Sequence, residues 1–161
     1  MMNVHEQRMC ELQADFFELS SDRFSCGSSF FIARFMNSDT AKELDNIDDP
    51  YNYISPNNLV SIMSNKYTSL FKKSGVKYPK AVLRWIGYIY RAYVIITKIE
   101  SSTIYKDIKA DKLLALYDSY HTFSPEYCVS RLREMVDEIR PKRDIYEIFK
   151  IVMEEDNKTS S

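Results

Sequence analysis

A cysteine nucleophile would need Cys10, Cys26 or Cys128 beside a base, and the 161-residue chain offers only His5 and His121 for that role. Cys128 follows His121 by seven residues, about two helical turns, but the Ser124-Pro125 pair between them starts a new helix and leaves His121 outside it. Zinc would ask for a CxxC or HxxxH spacing, which two histidines and three scattered cysteines do not supply. None of the three glycines is paired, so there is no phosphate-cradling loop. The acid pairs Asp48/Asp49 and Glu154/Glu155 fall in turn or tail contexts that read as solvated surface. These residues predict a protein that is not an enzyme, with no catalytic residue, metal or cofactor. The thiols are odd in number, and Met1–Phe16, dotted with Glu6, Arg8, Glu11 and Asp15, has no signal-peptide pattern. Reduced cysteines in a cytoplasmic protein are therefore expected.

Binding chemistry has more to work with. Lys77, Arg84, Arg91 and Lys98 stand seven residues apart, with Lys80 on the same side, and a seven-residue step returns to nearly the same face of a helix. Such a ladder can snorkel to water or pair with acids of the first and last helices, meet an acidic protein partner, or track a nucleic-acid backbone. A pI of about 6.1 argues against nucleic acid. The stretch Ile95–Tyr117 has the helix, turn and helix spacing of a DNA-reading unit. Its expected recognition segment, Thr103–Ile108, carries only Lys106 and Asp107 as charged side chains, with no Arg, Asn or Gln to read base edges. Apolar packing explains that segment better, and a helix-turn-helix transcriptional regulator is the alternative reading.

The element that must position this ladder is Lys80–Ile99, KAVLRWIGYIYRAYVIITKI, which holds the only tryptophan, Trp85, and the tyrosines Tyr88, Tyr90 and Tyr93. Its aliphatic and aromatic residues point to every side of a helix, the pattern of a helix in the middle of a bundle. Arg84 and Arg91 interrupt the run, so it is not a membrane span. The expected bundle encloses Trp85 and leaves an edge of lysines and arginines outside. Charge is unevenly spread around this element. Residues 1–49 carry ten acids and four bases, residues 50–99 eight bases and no acid, and residues 100–161 thirteen acids and ten bases. The cationic middle sits between acidic neighbours.

The remaining elements read as helices too. Met9, Leu12, Phe16 and Leu19 mark a first helix with an acidic outer face of Glu11, Asp15 and Glu18. Ser25–Ser29 is a break, and Phe30–Leu44 reads as one helix or two short ones, with Thr40-Ala41-Lys42-Glu43 as a capping box. Asn46–Ser55 is a turn-rich connection, and Ser55-Pro56 starts a helix expected over Pro56–Phe71. After the central helix come two short helices over Thr103–Tyr120, then a helix from Ser124-Pro125 that stops at Pro141, and a last one around Ile145, Ile148, Phe149 and Val152. Three glycines in the whole chain are too few for a sandwich or barrel. The expected architecture is all-α, a single-domain bundle of about seven or eight helices over residues 1–153 around a central helix at about 79–99, followed by a polar tail at 154–161.

One stretch carries a resemblance. Ser102, Ile104-Tyr105, Leu113, Leu116-Tyr117, Tyr120-His121-Thr122 and Glu126-Tyr127-Cys128-Val129, all within residues 100–130, resemble a small all-helical bacterial domain of unknown function. Members of that family are encoded beside ADP-ribosyltransferase-like proteins in toxin–antitoxin-like neighbourhoods. Phe30–Leu44 and Trp85–Arg91 are also similar to longer uncharacterised bacterial proteins. The short family members are less than half this length, and residues 1–79 have no counterpart in them. The resemblance implies a protein partner, an ADP-ribosyltransferase-like toxin, and an antitoxin or accessory role by occlusion, with no catalytic residues to transfer. His121 reads as a structural joint that hydrogen-bonds free backbone groups, with direct contact to a partner as the other reading. The residues expected to meet the partner are Lys77, Lys80, Arg84, Arg91, Lys98, Tyr120 and His121.

Overall fold

The structure, a computed structural model, describes residues 1–46, 54–72 and 74–160. Among these residues there are eight α-helices and no strand, as the composition predicts: α1 (Val4–Arg23), α2 (Ser28–Met36), α3 (Asp39–Asp45), α4 (Pro56–Lys66), α5 (Lys80–Thr97), α6 (Ser101–Asp107), α7 (Ala110–Tyr120) and α8 (Pro125–Thr159). The expected turns at Asp48, Asp49, Pro50 and Asn52 lie outside the described residues. The chain divides into two compact units, Met1–Val129 and Ser130–Ser161.

In the first unit α1 lies along α5 and is flanked by α2 and α4. Its start is fixed by a capping box in which Asn3 and Glu6 each accept the other's backbone N–H at 2.9 Å. The periodic residues Met9 and Phe16 are buried, yet so are Cys10, Gln13, Ala14, Phe17 and Ser20, while Leu12 and Leu19 are half-buried. Neighbours on several sides demand a wider buried arc than a surface helix needs. The crossing of α1 and α5 is close because Gly87 has no side chain. A Cβ there would stand 2.7 Å from the Gln13 carbonyl oxygen and 2.8 Å from the Phe17 ring. Gln13 Nε2 uses the space to donate to the Gly87 carbonyl at 3.0 Å. Between α1 and α2 the rings of Phe16 and Phe17 meet those of Phe31 and Phe35 edge-on at 5.1–5.5 Å, all four buried.

Several boundaries move from their predicted places. Phe30–Leu44 forms two helices, but the cap of the second is Ser38, whose Oγ accepts the Ala41 N–H at 3.1 Å. Thr40 is inside α3, so the predicted capping box does not form, and its buried Oγ1 has no hydrogen-bond partner among the described residues. Ser55 caps α4 through the Asn58 N–H as predicted, but α4 ends at Lys66 and a short 3₁₀ turn, Thr68–Phe71, takes over. That turn lets the Leu70 carbonyl accept from the N–H groups of Ser25 and Cys26, which a straight helix could not offer at that place. Pro141 does not stop α8, which continues to Thr159 through the predicted break and the predicted polar tail. Proline removes one helical hydrogen bond and crowds the carbonyl four residues back, and the seventeen residues that follow it up to Lys158 include no glycine or second proline to end the helix.

Candidate functional site

Where the cationic ladder lies decides its use. α1 and α5 run antiparallel, so the acids at 22, 18, 15 and 11 on α1 meet ascending positions on α5. Lys80 Nζ contacts Asp22 at 2.7 Å, and Arg84 reaches Asp15, Glu11 (2.5 Å) and Glu18 (3.4 Å). Hydrogen bonding to Asp22 and to Asp15 raises the pKa of Lys80 and Arg84 respectively. Lys77 Nζ donates to the Phe24 carbonyl at 2.5 Å. Of the predicted partner-binding set, these three are tied to their own chain. Lys98 is exposed at the end of α5, where it turns the chain with a left-handed φ of 62°.

Arg91 departs furthest from the exposed edge predicted for it, with a side chain only 1 % accessible. Asp45 at the end of α3, also buried, accepts from its Nη1 at 2.6 Å, and Gln13 Oε1 accepts from its Nε at 2.9 Å. Asp45 also accepts from the backbone N–H of Ser101 at 2.8 Å and from its hydroxyl at 2.6 Å, so one carboxylate both neutralises Arg91 and caps α6. Burial lowers the Arg91 pKa against the pull of Asp45. A cleft of about 470 Å³ opens beside this group, lined among others by His5, Glu6, Asp45, Lys98 and Glu100. Both carboxylate oxygens of Asp45 are already engaged, by Arg91 and Ser101, which suits a joint holding α1, α3, α5 and α6 together.

The three thiols are all buried, and burial raises each pKa, that of Cys10 to about 12. They stay protonated at neutral pH and are weak nucleophiles. Cys128 Sγ donates to the Tyr120 carbonyl at 3.3 Å. Among the described residues no group of three or more His, Cys, Asp or Glu side chains could hold a metal ion, and no helix is long and apolar enough to cross a membrane.

Tyr120 and His121 sit at the junction of α7 and α8, and here the surface is aromatic. The His121 ring stacks on Tyr117 at 4.4 Å, and Tyr117 meets Trp85 edge-on at 5.6 Å. A second run leads from Tyr120 through Phe123 (6.3 Å) to Tyr127 (4.9 Å). Phe123 and Tyr127 are each 48 % exposed. Trp85 is half-buried at the rim of this surface, so the predicted enclosure holds for its α5 neighbours Leu83, Ile86 and Ile89 but not for the indole itself.

The corner is held by its own polar groups. The Tyr117 carbonyl accepts the His121 N–H at 3.0 Å and lies 2.7 Å from its Nδ1. A carbonyl only accepts, so Nδ1 carries a proton in this contact. The Tyr120 carbonyl accepts from the Phe123 N–H, and Ser124 Oγ accepts the Tyr127 N–H at 3.2 Å. Carbonyls and amides that a helix end normally leaves to water are thus satisfied within the turn. Sequence reasoning found Tyr120 and His121 here but missed Trp85, Tyr117, Phe123 and Tyr127 as members of one surface. The signal available was the density of rings between residues 117 and 127. α6, the predicted DNA-reading segment, exposes Ser102, Thr103 and Lys106 and buries Ser101 and Ile104.

Comparison with protein-family models, with curated protein sequences and with solved structures found no match to this chain.

Proposed function

We propose that this chain is a non-enzymatic, cytoplasmic protein-binding module that grips its partner through the aromatic corner of α7 and α8. The observation that carries this reading is the pair of ring runs, Trp85–Tyr117–His121 and Tyr120–Phe123–Tyr127, half-exposed on a turn whose backbone is already satisfied. Large aromatic groups held rigid before binding lose little entropy on contact, and tryptophan and tyrosine are over-represented among residues that dominate binding energy. The likeness of residues 100–130 to a domain encoded beside ADP-ribosyltransferase-like proteins supplies the finer proposal. The partner is a toxin of that kind, and the module is the antitoxin or accessory component that occludes its active site or substrate.

The test is titration of the chain against the protein encoded next to it, which this proposal expects to be ADP-ribosyltransferase-like. Phe123→Ala with Tyr127→Ala is expected to weaken binding by about 30-fold or more, a loss of about 2 kcal/mol. Lys80→Ala with Arg84→Ala is expected to change affinity by less than about threefold, because those side chains face α1. Equal affinity for the aromatic variant and the parent protein would remove the corner as the binding surface. Absence of any complex with the neighbouring protein would remove the toxin–antitoxin reading.

A further inference from the structure

Most arginines of the first unit are spent inside it. Arg23 donates to Asn57 Oδ1 at 2.7 Å, Arg84 is taken up by the acids of α1, and Arg91 is buried against Asp45. Arg34, near the end of α2, is placed differently. It is exposed, and among the described residues its guanidinium has no hydrogen-bond acceptor and no acid partner.

What holds Arg34 is aromatic. Its guanidinium carbon lies 5.7 Å from the centre of the Phe30 ring, one turn back on α2, and 5.3 Å from that of Tyr67, the residue that follows α4. Both distances are within cation–π range. A long side chain steadied by two rings has already given up part of the freedom that binding would cost it. Its planar fork of donors is left without a use in the fold.

A pocket of about 260 Å³ opens at this place, lined by Phe30, Ala33, Arg34, Asn37 and Tyr67. Among its lining residues the one charge is that of Arg34. Residues 24–38 and 54–72, which supply every wall, contain no Asp or Glu. Asp39, the next acid along the chain, lines another cleft with Lys42, Glu43 and Lys66. Asn37 Nδ2 is used by the Ala33 carbonyl at 2.8 Å. The pocket is thus a mostly apolar slot with a guanidinium in it, and it is smaller than the ~300–1,000 Å³ of a cofactor or drug-sized site. One side chain is the size of group it can hold. A carboxylate matches a guanidinium in charge and in two-pronged geometry, and a short methylene stem behind it matches the rings.

We propose that this pocket receives an acidic side chain of a partner protein, its carboxylate held by the Arg34 fork and its methylene groups against Phe30 and Tyr67. The pocket shares no residue with the aromatic corner, so the two surfaces stand or fall separately.

The test is nuclear magnetic resonance titration of the full, isotope-labelled chain with N-acetylglutamate N-methylamide, a glutamate side chain with both backbone ends blocked. A Kd on the order of 1 mM is expected, as suits a single side chain, with the largest shifts at residues 30–37 and Tyr67. The glutamine analogue, equal in shape and uncharged, is expected to bind about tenfold more weakly or worse. Arg34→Gln is expected to lose glutamate binding with unchanged helical circular dichroism. Arg34→Lys, which keeps the charge and lacks the fork, is expected to weaken it about threefold or more. Equal binding of the two analogues overturns the proposal, as do shifts that fall elsewhere on the chain or binding that survives Arg34→Gln. Benzoate or inorganic sulfate that binds about tenfold more tightly than the glutamate analogue would also overturn it and give the pocket to a small free anion.

Discussion

The seam between α1 and α5 and the corner between α7 and α8 both gather groups able to hold a partner, and they dispose of them in opposite ways. In the seam, acids spaced four, three and four apart on α1 meet Lys80 and Arg84, and Arg91 is folded inside against Asp45. In the corner, the backbone satisfies itself and the rings of Phe123 and Tyr127 stay half in water. A periodic charge on one helix therefore marks a binding surface only when no neighbouring helix repeats the opposite charge in matching register. Exposed aromatic groups on a closed turn have no such internal use.

The comparison breaks most sharply at the Arg91 joint. Asp45→Ala removes the carboxylate that neutralises a buried guanidinium and caps α6, and is expected to destabilise the fold by about 3–5 kcal/mol in urea unfolding. Replacing both partners, Arg91→Met with Asp45→Leu, is expected to recover most of that loss, because no buried charge is then left alone. If Asp45→Ala were as stable as the parent, Arg91 would have to be solvated, and the seam would be open after all. Next in size is Gly87→Ala, whose new methyl group meets the Gln13 carbonyl and the Phe17 ring and is expected to cost about 1–3 kcal/mol.

Alkaline titration sharpens the contrast further. The Cys10 thiol has a folded pKa near 12 against an ordinary value of 9.0, because burial disfavours the thiolate. The folded state therefore keeps a proton that the unfolded chain releases, so this contribution is whole below pH 9 and falls as pH rises toward 12. The unfolding free energy from urea titration is expected to stay level up to about pH 8.5 and then drop, by up to about 1.4 kcal/mol per pH unit from this group. Cys10→Ala is expected to flatten part of the drop.

The smallest effect belongs to the partly exposed pairs. Arg84→Ala is expected to cost about 1 kcal/mol or less, and less again in high salt, since water and ions screen its three carboxylates. Phe123→Ala is expected to leave the unfolding free energy within about 0.5 kcal/mol of the parent. A large stability loss at Phe123 would make the corner part of the core and end its use as a contact surface.

Much of the fold is legible in the residues. The spacing of apolar side chains and the pairs Ser55-Pro56 and Ser124-Pro125 fix where helices begin, since capping and the preset φ of proline are local effects. Helix ends were less readable. Thr40-Ala41-Lys42-Glu43 and Ser38 offer competing caps, and only the packing of α2 and α3 chooses Ser38. Pro141 reads as a stop, and α8 runs through it. Of the residues expected to meet a partner, Tyr120 and His121 stand at the corner of α7 and α8, whereas Lys77, Lys80 and Arg84 are engaged by their own chain and Arg91 is buried.

By itself the sequence determined that this chain is helical, that Lys80–Ile99 lies at its centre, and that its thiols and histidines lack the spacing of a metal site. Those properties depend on propensity, periodicity and short-range geometry, which act within a few residues. Tertiary structure alone decided that Arg91 is buried against Asp45, 46 residues away, that Arg84 faces three acids of α1, and that Trp85 comes to the rim beside Tyr117. Whether a charge or a ring meets water depends on which helix is laid beside it and in which register, and no local pattern carries that information.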